Sequence, residues 1–100
     1  MSERIVRRVI MHGRVQGVGF RDWARHVAHS RGIEGWVRNR GDGTVEAVLV
    51  GTREAVSGMI AACRKGPPNS GVERIEEMDA AVSDLDLRRG TDSFSVIATA

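Results

Sequence analysis

Cysteine occurs once, at Cys63, so no disulfide can form within the chain and the fold must rest on its own core. Such usage suits a reducing cytoplasm. Proline occurs only at Pro67 and Pro68, which leaves long stretches free to form regular structure. Tyrosine is absent, and the aromatic residues are Phe20, Trp23, Trp36 and Phe94. A sheet that recognises RNA needs exposed aromatics in a K/R-G-F/Y-G/A-F pattern, and no such pattern is present. Lysine occurs only at Lys65, so the Walker loop G-x-x-x-x-G-K-[ST] has no counterpart. No apolar run approaches the ~18 residues of a membrane span. No charged-then-apolar leader opens the chain. Membrane insertion and secretion are therefore not expected, and a cytoplasmic location is.

What is present suits one compact domain over residues 1–100, with 41% hydrophobic and 28% charged residues. The net charge of +2 hides an asymmetry. Residues 1–40 hold nine arginines against Glu3, Asp22 and Glu34, a balance of +6; residues 41–100 hold six bases and ten acids, a balance of −4. The first part thus suits an anionic partner, or else presents an arginine-rich solvated face.

Residues 4–12 (RIVRRVIMH) read as a strand from their β-branched content. The spacing predicts a helix over 21–31, with Phe20, Trp23, Ala24, Val27 and Ala28 on one stripe and Asp22, Arg25, His26 and His29 facing away. Gly32 is a natural stop. Residues 33–40 and 44–50 read as an antiparallel hairpin around the turn chemistry of RGDG. Thr52 suits the cap of a second helix over 53–64, with Val56, Met59, Ile60 and Cys63 at helical spacing, and KGPPN ends it. Residues 72–82 read as a strand whose disturbed alternation suggests a bulge or bend. DLDLRRGTD (84–92) reads as loop, and 93–98 as a last short strand. The order βαββαβ predicts an α+β, ferredoxin-like sandwich, with two helices on one face of a four-stranded antiparallel sheet.

Three glycines, Gly13, Gly17 and Gly19, precede the first helix, and Arg21 stands where loop becomes helix. Glycines let successive backbone N–H groups turn inward together, and such a nest beside a helix N-terminus binds phosphate-like anions. Arg21 would add a planar fork of donors matched to phosphate oxygens. A plain strand-to-helix turn with a solvated Arg21 needs the same residues. The Rossmann pattern G-x-G-x-x-G fails, because Phe20, Arg21 and Asp22 follow Gly19 with no third glycine, so nucleotide binding is not expected. Asn39 ends its strand before the turn. An asparagine there either hydrogen-bonds its own turn backbone or offers an amide that positions a water or substrate oxygen.

GRVQGVGFR (13–21) and GWVRNRGDGTVE (35–46) together resemble the two signature stretches of acylphosphatases. The resemblance continues through the second helix and KGPP and is weak after residue 80. It implies a ferredoxin-like fold and hydrolysis of carboxyl-phosphate bonds. By position it implies that Arg21 binds the phosphate, that Asn39 orients the water, and that Gln16, Gly17, Val18, Gly19 and Phe20 form the loop whose amides cradle the phosphate. The sequence departs from the family's pattern at Arg40, where many members have a small polar residue, at Ser70, and in the ending SVIATA, which has no aromatic residue.

Neither Arg21 nor Asn39 exchanges a proton at neutral pH, so such a site has no general acid or base. An alkyl phosphate expels an alkoxide that needs a proton. An acyl phosphate expels a carboxylate of pKa about 4, which leaves unaided. The residue pair therefore selects activated phosphates, and carbamoyl phosphate is also chemically suitable. No cofactor, metal, membrane or nucleic acid is expected; inorganic phosphate is the expected product and a monomer the expected state. His26 and His29 form H-x-x-H on a polar helix face without a carboxylate or cysteine at ligand spacing, which reads as a solvated face. His12 reads as structural, Cys63 as core, and Trp36 as core or half-exposed packing rather than a base-stacking surface. GIEG (32–35) resembles a KH-type G-x-x-G but has the wrong flanks. Two rival readings remain: a ferredoxin-like module that binds RNA or another anion without catalysis, and a domain serving carbamoyl transfer in a larger machine. The missing aromatic pattern opposes the first, and the lack of zinc-ligand cysteines and of a second domain opposes the second.

Overall fold

A computed structural model describes residues 3–88, 90 and 92–100. The elements run β1 (Arg4–Arg14), α1 (Phe20–Arg31), β2 (Glu34–Asn39), β3 (Val45–Thr52), α2 (Arg53–Lys65) and β4 (Gly71–Asp79), then a 3-10 helix (Val82–Leu87) and β5 (Phe94–Val96). The sheet order is β4-β1-β3-β2-β5. The first four strands form the expected antiparallel ferredoxin-like sheet. β5 adds a fifth strand at the edge, and it runs parallel to β2, with Gly35 opposite Phe94 and Val37 opposite Val96. The expected loop over 84–92 is in part the 3-10 helix; Arg89 and Thr91 of that stretch lie outside the described residues.

The pleat of β1, β3 and β2 sorts their side chains. Val9, Ala47 and Val37 lie in register on one face, as do Met11, Val45 and Asn39 one step along. That face packs on Phe20, Ala24 and Ala28 of α1 and on Val56, Met59, Ile60 and Cys63 of α2. Burying the Val, Ile, Met and Phe side chains among these stabilises the fold by about 1.5–3 kcal/mol each. Trp23 and Val27, at the margin of the predicted stripe, are half-buried against the same core. The other face carries a smaller cluster of Trp36, Val48, Val50 and Ile97, with Val6 and Leu85 against it. Trp36 is fully buried there; its indole N–H donates to the Asp84 carbonyl at 2.6 Å, and the Arg38 guanidinium lies 4.7 Å from its ring centre.

Local chemistry ends the elements as their residues dictate. The Thr52 hydroxyl accepts from the Ala55 N–H at 3.1 Å and caps α2. Gly66 closes that helix ahead of the two prolines. The disturbed alternation after residue 71 is a bulge: His12 pairs with Arg74 and Gly13 with Val72, which leaves Glu73 as an extra residue in β4.

Candidate active site

The crossover from β1 to α1 and the end of β2 meet at a cavity of about 190 Å³. Val15, Gly17, Gly19, Phe20, Arg21, Asp22, Asn39 and Val96 line it. Gly17 and Gly19 stand at φ 75° and 77°, a left-handed conformation that favours glycine and turns neighbouring N–H groups to one side. No backbone carbonyl accepts from the N–H groups of Gly17, Val18 or Gly19 among the described residues. Gly19 is also the N-cap of α1, and no side chain caps that helix. Its first-turn N–H groups and about half a positive charge therefore face the cavity.

Arg21 stands in that first turn, half-buried, with no ion pair or hydrogen bond among the described residues. A cation against a helix N-terminus is unfavourable until an anion joins it. Asn39 lies on the same face of the sheet as Met11 and Val45. Its Oδ1 is buried without a hydrogen-bond partner; the one other such atom among the described residues is Arg8 Nε. Unsatisfied buried acceptors are rare in folded proteins and mark places where a water or ligand supplies the donor. The turn is closed by a different side chain: Asp42 Oδ1 accepts from the Thr44 N–H at 3.0 Å and from its hydroxyl. Those bonds, the hydroxyl's first, hold the Asp42 carboxyl below its ordinary pKa. Asn39 is thereby left free for the cavity.

A family model, Acylphosphatase, matches residues 7–96. The chain belongs to the acylphosphatase family. An acylphosphatase of Rhodopseudomonas palustris is 50% identical over 99 residues, covering 99% of each chain. One of Bradyrhizobium diazoefficiens is 47% identical over 96 residues, covering 96% of this chain and 97% of that one. A crystal structure of acylphosphatase from Bacillus subtilis superposes with a TM-score of 0.80 at 35% identity, covering 93% of this chain and 98% of that one.

Of the residues that the acylphosphatase signatures single out, Gly17, Gly19, Phe20, Arg21 and Asn39 line the cavity; Gln16 and Val18 do not. The Gln16 amide nitrogen donates instead to the carbonyls of Arg40, at 2.8 Å, and Thr44, at 2.9 Å. Val18 packs against the main core. Val15, Asp22 and Val96 join the cavity unannounced. Val15 lies within the first signature and Asp22 directly follows it, so both places follow from the motif. Val96 had no signal, because its place depends on how β5 docks. Asp42 did carry one, since Asp-x-Thr is Asx-turn spacing.

The remaining candidates lie elsewhere. His26 and His29 are exposed, and His29 borders a separate open groove with Gly32, Ile33, Glu34, Asp92 and Ser93. His12 faces Glu76, 3.1 Å from its Oε1. Cys63 is 1% exposed, and burial pushes its thiol up to about 12. Among the described residues, no three or more His, Cys, Asp or Glu side chains come together as a metal site, and no helix is long and apolar enough to cross a membrane.

Proposed function

We propose that this acylphosphatase-family chain hydrolyses the carboxyl-phosphate bond of small acyl phosphates to carboxylate and inorganic phosphate, without a metal. Family membership supports acyl phosphate hydrolysis in general. The observation that carries the finer reading is the pairing of an unpartnered Arg21 guanidinium with a partnerless buried Asn39 Oδ1 at one uncapped helix N-terminus. The inward N–H groups around Gly17 and Gly19 and the fork of Arg21 hold the phosphate oxygens. The Asn39 amide accepts from the attacking water and aligns it.

The water oxygen bonds to phosphorus as the bond from phosphorus to the acyl oxygen breaks. The carboxylate leaves with the electron pair, and the water proton passes to a phosphate oxygen of the substrate. Phosphoryl transfer has a loose transition state, so positioning and charge stabilisation supply most of the acceleration. Cytoplasmic action as a monomer, on a small molecule rather than a nucleic acid, completes the reading. Phe20, Trp36 and Phe94 are each buried, so none of them offers a base-stacking surface.

Phosphate release from acetyl phosphate and from a simple alkyl monoester, each with and without chelator, tests the reading. The acyl phosphate is expected to turn over and the monoester hardly at all, with no effect of chelator. Comparable rates on the two substrates, or loss of activity with chelator, would show an acid residue or a metal and overturn it.

A further inference from the structure

We infer that the side chain of Gln16 is a positioning group that sets Asn39 against the phosphate loop, and that this side chain does not itself bind phosphate. The inference rests on the role proposed for Asn39 above. The two halves of the site sit on different parts of the chain. Arg21 and the loop glycines belong to the β1–α1 crossover, while Asn39 ends β2. β1 and β2 are not neighbours in the sheet, because β3 lies between them. Through the sheet, the position of Asn39 relative to the loop is therefore transmitted across two strand pairings. The Gln16 side chain makes the direct link.

Its geometry leaves little freedom. One amide nitrogen carries two hydrogens. One goes to the Arg40 carbonyl at 2.8 Å and the other to the Thr44 carbonyl at 2.9 Å. No side-chain donor remains for a phosphate. The two acceptors face each other across the mouth of the hairpin, where the Arg40 N–H also donates to Thr44 O at 2.9 Å and the Gly43 N–H to Arg40 O at 3.2 Å. They sit one step beyond the last strand pair, Asn39 with Val45. Gln16 thus grips the carbonyls of Arg40, the residue after Asn39, and of Thr44 opposite it. A neutral amide suits the task. A lysine or arginine would add a competing cation beside Arg21, and a glutamate would set an acceptor against two carbonyls. Misplacement of a reacting group by about 1 Å can cost roughly a hundredfold in rate, so a tie of this kind has a kinetic consequence.

The test is a double-mutant cycle on the full chain, with acetyl phosphate as substrate and inorganic phosphate as inhibitor. Gln16→Met keeps the length of the side chain and removes both donors. It is expected to lower kcat by roughly tenfold or more, while the inhibition constant for phosphate stays within about twofold. In an Asn39→Ala background the same substitution is expected to change kcat by less than about twofold, because a residue that acts through Asn39 has nothing left to position. Gln16→Glu supplies a second readout. It regains one O–H donor on protonation, so its kcat relative to the parent is expected to rise as pH falls.

An unchanged kcat in Gln16→Met, an equal fold-loss in both backgrounds, or a loss expressed as weaker phosphate binding would overturn the inference. Failure of both Gln16 variants to fold would assign the tie to stability alone and would also overturn it. Each of these results leaves the role of Asn39 standing. If Asn39→Ala alone keeps full kcat, it is the role of Asn39 that fails, and the positioning role of Gln16 falls with it.

Discussion

Arg21 shows how one residue can be costly to the fold and necessary to the site. Its charge stands in the first turn of α1 with no acid paired to it among the described residues, at the end of the helix that already carries positive charge. A phosphate removes that conflict. Arg21→Gln is therefore expected to abolish nearly all phosphate release from acetyl phosphate. Its unfolding free energy in urea is expected to equal the parent's or exceed it by about 0.3–1 kcal/mol. Substantial retained turnover would remove Arg21 from the phosphate site. Cys63 makes the opposite case. Burial holds its thiol up at about 12, so the nucleophilic thiolate is nearly absent near neutral pH. An alkylating reagent at pH 8 is expected to leave the folded protein unlabelled and fully active, and to label it in denaturant. Rapid labelling of the folded state would contradict the burial.

At the scale of elements, the hairpin of β2 and β3 has the narrowest tolerance. Gly35 stands at φ 141°, and a Cβ placed there would lie 1.8 Å from the Val48 carbonyl oxygen. The contact is with backbone in a neighbouring strand, so no side chain can swing away. Gly35→Ala is expected to destabilise the protein by more than about 2 kcal/mol, read as a lower urea midpoint. A loss below about 0.5 kcal/mol would mean that the two strands sit further apart. The hairpin was legible beforehand because its alternation and its RGDG turn agree. The elements around it were legible for similar reasons, such as the apolar stripe of α1 and the Thr52 cap of α2. β5 was predicted as a last strand over 93–98, yet the strand proper is only Phe94–Val96 and its parallel pairing with β2 had no local mark. Three residues carry too little periodicity to declare a partner or a direction.

Across the whole molecule, part of the positive charge of the first forty residues is met by acids from the later part of the chain. Arg7 pairs with Glu77 and Asp79, Arg8 and Arg38 with Glu46, and Arg25 with Asp92. Glu34 gathers three distant segments, because Arg4 of β1 and Arg88 beyond the 3-10 helix both donate to it. The Arg4 hydrogen bond is the largest influence, and with Arg88 it lowers the Glu34 pKa against the opposing effect of desolvation. A carboxyl with a depressed folded pKa contributes stability that is complete above its unfolded pKa and is lost as pH falls through the folded one. Glu34→Gln is therefore expected to lower the urea midpoint at neutral pH and to flatten its acid limb below about pH 4. The difference should shrink in high salt, because the group is partly exposed. An acid limb identical to the parent's would mean that the three-segment tie contributes nothing.

The order of elements, the two helices and their ends and the glycine loop could be read from the sequence alone, whereas the roles given to Arg21 and Asn39 came from the family resemblance. Each of the former features depends on residues within a few positions of one another, where periodicity, turn chemistry and capping act. The tertiary structure decided which alternative each residue took. Asn39 is not the turn's own hydrogen-bonding residue, because Asp42 fills that role. The Gln16 side chain faces carbonyls 24 and 28 residues away. Val96 reaches the cavity because β5 docks beside β2. Hydrogen-bond partners and cavity walls of this kind are settled by packing between segments far apart in the chain, and no local pattern encodes which distant carbonyl or strand edge will be there to meet them.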